Sequence, residues 1–258
     1  MMKVLIVETI VIAIYMTVWF FIAQIKRRND VADIAWGTGF IIIAITALLV
    51  TDRITPRGLL TLFFVISWGM RLAIHIYMRN REKPEDPRYR KWKEDWGKHA
   101  VIRALLQVFL LQGLLIVIIS LPVTFIIMSG ENPFGIFDLL GVCIWLAGFI
   151  FEAVGDYQLA KYKKDPASKG KIMTLGLWSY TRHPNYFGEV TLWWGMYVIA
   201  LSVPNGWMTI PGPLAITFLI LMVSGIPLLE EKYKDNPEFQ KYKRRTSAFF
   251  PLPPRKEV

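Results

Sequence analysis

The sequence lacks the residues from which several common protein sites are built. Its 258 residues include one cysteine, Cys143, and three histidines. A single cysteine excludes an internal disulfide framework and a cysteine-built zinc site, and three scattered histidines are poor material for a metal site. The GxGxxG and Walker loops, the HExxH motif and the GxSxG nucleophile elbow are also absent. These absences argue against a Rossmann cofactor domain, a P-loop enzyme, a zinc protease and a serine hydrolase, and no metal cofactor is predicted.

The sequence also has few charged residues, and it contains long apolar runs. Charged residues make up 19% of the chain and hydrophobic residues 54%, with a mean hydropathy of +0.38. A soluble domain would carry more charge, whereas apolar runs of roughly 18 or more residues are typical of membrane-spanning helices. Seven such segments lie at about 3–25, 31–50, 58–78, 102–128, 136–160, 185–203 and 209–229. The sequence therefore predicts an all-α, multi-pass integral membrane protein with seven transmembrane helices, or six if the second or third segment is re-entrant.

The basic residues are distributed unevenly between the connections. Most of the 30 Lys and Arg residues lie in 26–30, 79–103, 161–182 and the tail from Glu230. The intervening connections hold few, and 129–135 and 204–208 hold none. Because loops rich in Lys and Arg stay in the cytosol, this alternation predicts an outside N-terminus and a cytosolic C-terminus. The net charge of +10 then reflects topology and no nucleic-acid partner is expected. The charged loop at 78–98 is predicted to fold over the cytosolic face.

The densest polar element is LWSYTRHPNYFGEVTLWWGMY, residues 177–197. It places Arg182, His183, Asn185 and Glu189 within eight positions, just before an apolar run. Asn185 and Glu189 are four apart, so they would share one face of a helix that begins at the proline between His183 and Asn185. Free N–H groups and the helix dipole at such a start favour an anion. The alternative, a snorkelling interfacial loop, leaves Glu189 unexplained.

Other polar side chains recur near the predicted cytosolic ends of the helices. Together with the motif they are Asp33, Arg71, His75, Glu152, Asp156, Asn185, Glu189, Glu230 and Glu231. Ionisable residues in membrane helices are costly and indicate function by default. Because five helices contribute at one depth, the sequence predicts a single polar cavity that opens to the cytosol and is closed towards the outside. The outer halves offer few polar groups, which argues against a channel.

The predicted cavity carries charges of both signs. Arginines can bind phosphates bidentately, and carboxylates can accept hydrogen bonds from ribose hydroxyls or an amide. This mixture favours a nucleotide cofactor over a simple anion. No internal repeat is visible, so residues 1–258 are expected to form one membrane domain.

Four stretches resemble the membrane steroid 5α-reductase superfamily, which also includes sterol C14-type reductases and, more distantly, isoprenylcysteine carboxyl methyltransferases. They are LWSYTRHPNYFGE (177–189), ADIAWGTGF (32–40), RLAIHIYMRNREKPEDPRY (71–89) and EEKYKDNPEFQKYKRRTSAFFP (230–251). The last three are similar to the bacterial steroid 5α-reductase-like branch. The resemblance implies an NADPH-dependent enzyme that reduces the C4=C5 double bond of a 3-oxo-Δ4 steroid or a similar lipid enone.

The same resemblance implies how the enzyme is organised. A substrate-binding half at about 1–128 would be followed by a cofactor-binding half at about 136–258. We expect a monomer in the bacterial inner membrane, surrounded by lipids, that takes a steroid-like lipophilic substrate from the bilayer.

The resemblance places the NADPH site on the basic loop after helix three, on helix five, on the helix-six motif and on the C-terminal segment. The residues expected there are Arg71, Arg79, Asn80, Arg81, Glu152, Asp156, Lys163, Tyr180, Arg182, His183, Asn185, Glu189, Glu231, Tyr242 and Arg245. Arg79 and Arg81, with Lys163, are expected to recognise the phosphate that distinguishes NADPH from NADH.

For catalysis, mammalian members use a carboxylate in helix two with a tyrosine in helix three to hold the steroid ketone. Asp33 matches the carboxylate, and Trp36 and His75 are further catalytic candidates. The tyrosine has no match, because its position falls near Trp68 or Gly69. An Asp33 kept protonated by apolar surroundings would donate a hydrogen bond to the enone oxygen.

Two other functions remain open. An S-adenosylmethionine-dependent methyltransferase would use a similar RHPNY-type helix and a similar glutamate at the end of the last helix. The basic loop Arg79–Arg90, useful for a ribose phosphate, favours the reductase. A transporter is disfavoured, because paired broken helices are not evident and the polar groups gather on one side.

Overall fold

The chain is helical throughout the part that the structure describes. The structure is a computed structural model that describes residues 1–130 and 133–255. Residues 131 and 132 of the predicted outer connection, and 256–258 at the predicted cytosolic C-terminus, therefore lie outside the described residues. Between those gaps no β-strand occurs, and the predicted all-α class is confirmed. The chain divides into two compact units, unit 1 (Met1–Phe134 with Val203–Pro211) and unit 2 (Gly135–Ser202 with Gly212–Val258).

Unit 1 begins with three long helices that closely match the first three predicted segments. They are α1 (Met2–Lys26), α2 (Ala32–Thr51) and α3 (Pro56–Asn80). The Thr55 hydroxyl caps α3 by accepting the Gly58 N–H at 3.0 Å, and a proline follows it at the first helical position. Helices α2 and α3 meet at Gly37 and Gly69, where a Cβ on Gly37 would lie 2.7 Å from the Gly69 carbonyl oxygen. Only glycine allows so close a backbone approach.

The fourth predicted segment differs most from the structure. A helical run from Pro87 to Ile119 takes up the second part of the predicted loop at 78–98 and the start of the predicted span at 102–128. Its parts are α4 (Pro87–Trp96), a 3-10 turn (Gly97–His99), α5 (Ala100–Arg103), a π-helix (Ala104–Leu110) and α6 (Leu111–Ile119). The loop prediction was wrong because Asp86 caps α4 and Pro87 begins it, a start signal that the high charge content obscured.

A separate helix, α7 (Leu121–Met128), completes the predicted fourth segment. Pro122 has no N–H to continue the hydrogen bonds of α6, so Ser120 becomes the cap of a new helix.

Unit 2 contains two long helices followed by shorter ones. They are α8 (Ile136–Lys164), α9 (Pro184–Ala200), α10 (Pro211–Phe218, from its second residue on), a π-helix (Leu219–Val223), α11 (Ile226–Lys232) and α12 (Pro237–Arg245). The seventh predicted segment is therefore interrupted. The break falls at Gly225, where a Cβ would lie 2.4 Å from the Ile220 carbonyl oxygen.

Helices α8 and α9 pack along a seam of glycines. The seam consists of Gly141, Gly148 and Gly155 on α8 with Gly188 and Gly195 on α9. A spacing of seven residues keeps these glycines close to one stripe of each helix. A Cβ on Gly188 would lie 2.4 Å from the Glu152 backbone nitrogen and 2.6 Å from the Gly148 carbonyl oxygen. The seam thus sets backbone-to-backbone contact between the two helices that carry five of the predicted cofactor residues.

Six helices of the described chain are long and apolar enough to cross a membrane. They are Met2–Lys26, Asn29–Thr51, Pro56–Asn80, Pro87–Ile119, Ile136–Lys164 and Gly206–Lys232. The predicted span that is not among them is α9, which has 17 residues. The alternative of a re-entrant second or third segment does not explain why six helices meet this criterion and seven were predicted, because α2 and α3 are continuous helices of 20 and 25 residues.

Candidate functional site

The start of α9 in unit 2 holds the predicted motif, and the glycine seam brings it against α8. A Cβ on Gly155 would lie 3.1 Å from the Asn185 backbone nitrogen. At this crossing Asn185 Nδ2 donates a hydrogen bond to Asp156 Oδ1 at 3.2 Å. Asp156 is buried and Asn185 is half-buried. Two residues predicted for the cofactor site therefore meet, and the amide oxygen of Asn185 makes no hydrogen bond to any described residue.

Arg182 joins the stretch before α9 to α11 and α12. Its Nε and Nη2 donate to Glu230 Oε1 at 2.8 and 2.6 Å, and its Nη1 donates to the carbonyl oxygens of Lys243, at 3.1 Å, and Thr246. The carboxylate of Glu230 also lies 3.4 Å from His183 Nε2 and 2.8 Å from Lys243 Nζ. The Arg182 guanidinium is buried and occupied within the chain, so its observed role is to connect elements.

The C-terminal segment pairs with the same stretch. Thr181 and Ser247 form a parallel bridge, and the Arg182 N–H donates to the Ser247 carbonyl oxygen at 2.9 Å. The Tyr242 hydroxyl donates to the Trp178 carbonyl oxygen, and burial raises the pKa of Tyr242 above its ordinary value. Tyr242, predicted for the cofactor site, is therefore an interior anchor of α12.

The remaining predicted cofactor residues of unit 2 differ in exposure. Glu152 is buried on α8 beside the glycine seam, and Glu189 is half-buried on α9. The exposed ones are Lys163, Tyr180, Glu231 and Arg245. Glu231 forms a surface ion pair with Lys234 at 2.5 Å.

In unit 1, the predicted catalytic residue Asp33 lies in a cluster contributed by α2, α4 and α6. The Tyr89 hydroxyl donates to Asp33 Oδ1 at 2.5 Å, and Gln112 Nε2 lies 3.5 Å from the same hydroxyl. Arg88 Nη2 lies 3.6 Å from Asp33 Oδ2. In this arrangement Asp33 accepts a hydrogen bond from the phenol and forms an ion pair with the guanidinium.

A second layer of charges holds this cluster in place. Asp86 binds Arg88 through two hydrogen bonds, from Nε at 3.0 Å and from Nη2 at 3.2 Å. Burial acts to raise the pKa of Asp86, but the hydrogen bonds and the charge of Arg88 outweigh it and lower that pKa. The Asp86 N–H donates to Asp30, whose carboxylate accepts two hydrogen bonds of 2.7 Å from Arg28. Those hydrogen bonds raise the pKa of the Arg28 guanidinium. Alternating charges thus tie the start of α2 to the start of α4.

The other predicted catalytic residues of unit 1 lie on α2 and α3. Trp36 is half-buried and packs edge-to-face on Phe40, with ring centroids 5.3 Å apart. His75 is half-buried one turn from Arg71, which is itself half-buried.

The predicted phosphate-binding residues lie at the end of α3 or directly after it. Arg79 is exposed and its Nε donates to Asn80 Oδ1 at 3.1 Å. Arg81 forms an ion pair with Glu82 at 3.0 Å, and both side chains are exposed. Because both arginines are exposed, their guanidinium groups are accessible to a ligand.

The sequence analysis missed two groups of residues in unit 1. Tyr89 and Arg88 were placed in a loop, although the Asp-Pro pair before them was a helix-start signal. Glu8 is buried in α1 and accepts a hydrogen bond from the Thr124 hydroxyl at 2.9 Å. This buried carboxyl was overlooked, and it lies in the half of α1 that the predicted orientation places outside.

The described residues define a helical membrane protein with one polar cluster in each of its two units. The chain belongs to the family described as a protein of unknown function, DUF1295, whose model matches residues 19–246. This membership and the relatives below agree with the steroid 5α-reductase-like superfamily expected from the sequence.

Three curated relatives illustrate the similarity. The chain is 31% identical over 106 residues to 3-oxo-5-alpha-steroid 4-dehydrogenase 1 of Bos taurus, a match that covers 40% of this chain and 39% of the relative. It is 34% identical over 65 residues to the Homo sapiens protein of the same name, covering 25% of each. It is 37% identical over 65 residues to the probable O-methyltransferase ustE of Ustilaginoidea virens, covering 25% of this chain and 22% of that protein. The chain thus spans less than half the length of these relatives. No solved structure matches.

Proposed function

We propose that the protein is an NADPH-dependent oxidoreductase that reduces the C=C bond of a lipophilic enone, with 3-oxo-Δ4 steroids as the substrate class. The observation that carries the proposal is the hydrogen bond between Tyr89 and Asp33. A carboxylate paired with a tyrosine is the arrangement expected from the resemblance to hold a steroid ketone. In this chain the tyrosine comes from α4. Because the resemblance is to a superfamily that uses such a pair, the pair supports a role for Tyr89 and Asp33 in holding the substrate ketone.

The chain's contribution at the substrate is position and polarity. A ketone oxygen placed beside Tyr89 and Arg88 would face the guanidinium as a hydrogen-bond donor and a phenol whose one proton is donated to Asp33. Donors aimed at an oxygen that gains charge stabilise the transition state. Trp36 and the adjoining apolar side chains would form a wall for a flat lipid, and His75 remains a proposed contributor.

The NADPH site is proposed in unit 2, and the donor set there fits the group. Bound NADPH would supply the hydride. Asn185 keeps an amide oxygen and one N–H unused, which complements a carboxamide, while Asp156 fixes its orientation. Glu152, Glu189 and His183 would accept or donate further hydrogen bonds, and Lys163, Tyr180, Glu231, Tyr242 and Arg245 would border the dinucleotide. In unit 1, Arg71, Asn80 and the exposed Arg79 and Arg81 remain proposed phosphate-binding residues.

The finer architecture belongs to the same proposal. Counting α9 as a short span gives seven transmembrane helices, with the N-terminus outside and the C-terminus cytosolic. The alternation of basic loops supports this orientation. The substrate would enter a monomer from the lipids of a bacterial inner membrane.

Ligand-dependent stability distinguishes the proposed reductase from a methyltransferase. Purified protein in detergent should melt at a higher temperature with NADPH, less so with NADH, and not with S-adenosylmethionine, because only a ligand of the native state stabilises it. When a 3-oxo-Δ4 steroid is then added to the protein and NADPH, the absorbance of NADPH should decrease as NADPH is oxidised. Protection by S-adenosylmethionine instead would reject the reductase and favour a methyltransferase, which the match to the probable O-methyltransferase makes the second candidate.

A variant pair localises the cofactor. Asn185→Ala should weaken NADPH binding by about 1–3 kcal/mol, because a buried partner loses its hydrogen bond. Gln107, an exposed amide on the π-helix of unit 1, offers the matched control. Equal affinity of wild type, Asn185→Ala and Gln107→Ala would exclude Asn185 from the cofactor site.

A further inference from the structure

Arg88 differs from the other charged groups around Asp33 in that part of its guanidinium is unused. Its Nε and Nη2 are bound to Asp86, and Nη2 also lies 3.6 Å from Asp33 Oδ2. Nη1, with two N–H groups, makes no hydrogen bond to any residue that the structure describes. The side chain is 38% exposed and Asp33 is 19% exposed, so a ligand can reach this position.

The guanidinium is held in a fixed place. Asp86 binds it through two atoms, which sets the plane of the fork, and Asp86 is itself held by its N–H bond to Asp30. The Arg88 Cζ atom lies 5.8 Å from the centre of the Tyr89 ring. A charged donor that is already oriented costs little reorganisation when charge develops beside it.

The Tyr89 hydroxyl by itself is poorly suited to carry that charge. It has one proton, which it donates to Asp33, and its oxygen faces the Gln112 amide nitrogen. Donation to a substrate oxygen would require the phenol to leave or share its bond to Asp33. Arg88 has N–H groups to spare and needs no such exchange.

We propose that Arg88 is a catalytic residue that binds the substrate's carbonyl oxygen and stabilises the enolate formed during reduction. This inference rests on the proposed function. The substrate's β-carbon would accept a hydride supplied by a reduced nicotinamide, which is thereby oxidised, and the C=C electron pair would shift to form a double bond between the α-carbon and the carbonyl carbon. The carbonyl pair moves onto oxygen, where the Nη1 N–H groups donate to it. A proton from water then adds to the α-carbon and the carbonyl re-forms.

Chemical rescue tests this role. Arg88→Ala should lower the single-turnover rate of hydride transfer by on the order of 10²–10³-fold, the loss typical of one oxyanion donor, while NADPH affinity stays unchanged. Guanidinium chloride at millimolar concentration should restore part of the rate, whereas equal NaCl or urea should not. Arg103→Ala removes an exposed arginine of α5, outside the basic loop, and should neither slow the reaction nor respond to guanidinium. A loss below about threefold, or a loss that guanidinium does not restore, overturns the proposal.

A binding measurement keeps the proposal testable if Arg88→Ala does not fold or if no reduction is found. Estradiol carries a phenol that resembles the enolate, and its 3-methyl ether lacks the acidic oxygen. Wild type should bind the phenol more tightly than the ether, and this preference should increase as the pH rises towards phenol ionisation. Arg88→Met should lose the preference completely. Arg88→Lys should lose part of it. A preference that Arg88→Met retains overturns the inference. Wild type that reduces no enone rejects the proposed function alone, because the binding comparison does not depend on turnover.

Discussion

Two arginines, one in each unit, show how similar pairs can serve different purposes. Arg182 in unit 2 is 6% exposed and makes four hydrogen bonds, two to Glu230 and two to backbone carbonyl oxygens. Arg88 in unit 1 is 38% exposed, binds Asp86 with one edge and leaves Nη1 open. Both face a carboxylate, yet only one has donors left for a ligand.

The difference follows from what surrounds each guanidinium. Backbone carbonyl oxygens at the end of α12 occupy the second edge of Arg182, so the residue holds the C-terminal segment against the start of α9. Among the described residues, no backbone oxygen accepts a hydrogen bond from the second edge of Arg88. A buried arginine whose N–H donors are all hydrogen-bonded connects structural elements. An oriented arginine with N–H donors left over can bind an acceptor from outside the chain. The sequence analysis, which saw only arginines near membrane boundaries, had grouped Arg182 with the ligand-binding residues.

The largest effect should come from Arg182→Met. It removes the main partner of Glu230 and leaves a carboxylate in a largely buried place, a change that typically costs about 3–5 kcal/mol. We expect a clear fall in melting temperature in detergent, and Arg182→Lys should recover only part of it, because lysine cannot reproduce the planar fork. Arg88→Met should lower the melting temperature much less. Equal losses for Arg88→Met and Arg182→Met would remove the distinction between the two arginines.

A smaller effect is expected from Gly188→Ala. The added Cβ would meet the Glu152 backbone nitrogen at 2.4 Å, so α8 and α9 must separate, and overpacking of this kind typically costs about 1–3 kcal/mol. NADPH affinity should fall as well, because the Asn185–Asp156 bond depends on the same crossing. Gly135→Ala is the control, since, apart from its chain neighbours, no atom of the described residues lies within 4 Å of its added Cβ. If Gly188→Ala matched Gly135→Ala in melting temperature and NADPH affinity, the seam would not set the cofactor site.

The smallest effect should come from Asp86→Asn, which loosens the support of Arg88. The folded-state pKa of Asp86 lies below its ordinary value of 3.8, so its charge stabilises the fold above that pH and the contribution disappears as pH falls through the folded pKa. Because the pair is partly exposed, we expect less than about 1 kcal/mol. The melting-temperature difference between wild type and Asp86→Asn should shrink below about pH 4. A difference that grows with acidification would contradict this assignment.

Much of the helical framework follows from the apolar pattern. Helices α1 to α3 and α8 were predicted closely, because each is a long apolar run ended by charge or a breaker. Asp156 and Asn185, both predicted for the cofactor site, form a hydrogen bond with each other, and their role in cofactor binding stays a prediction. The pairing of Tyr89 with Asp33 was missed, because 56 positions separate them and the loop prediction hid the start of α4. The position of Glu230 as the acceptor for Arg182, His183 and Lys243 was also missed, since sequence alone does not show which carboxylate a distant cation faces.

By itself, the sequence determined the helical class, the membrane character, the alternation of basic loops and the motif at 177–189. These depend on local composition and on spacing within one helix, which are readable along the chain. The tertiary structure alone decided which donors are consumed and which are left open, because hydrogen-bond saturation depends on neighbours brought from other helices. The backbone carbonyl oxygens at the end of α12 accept the remaining hydrogen bonds of Arg182. The approach of α4 to the start of α2 places Arg88 beside Asp33, with Nη1 making no hydrogen bond to a described residue.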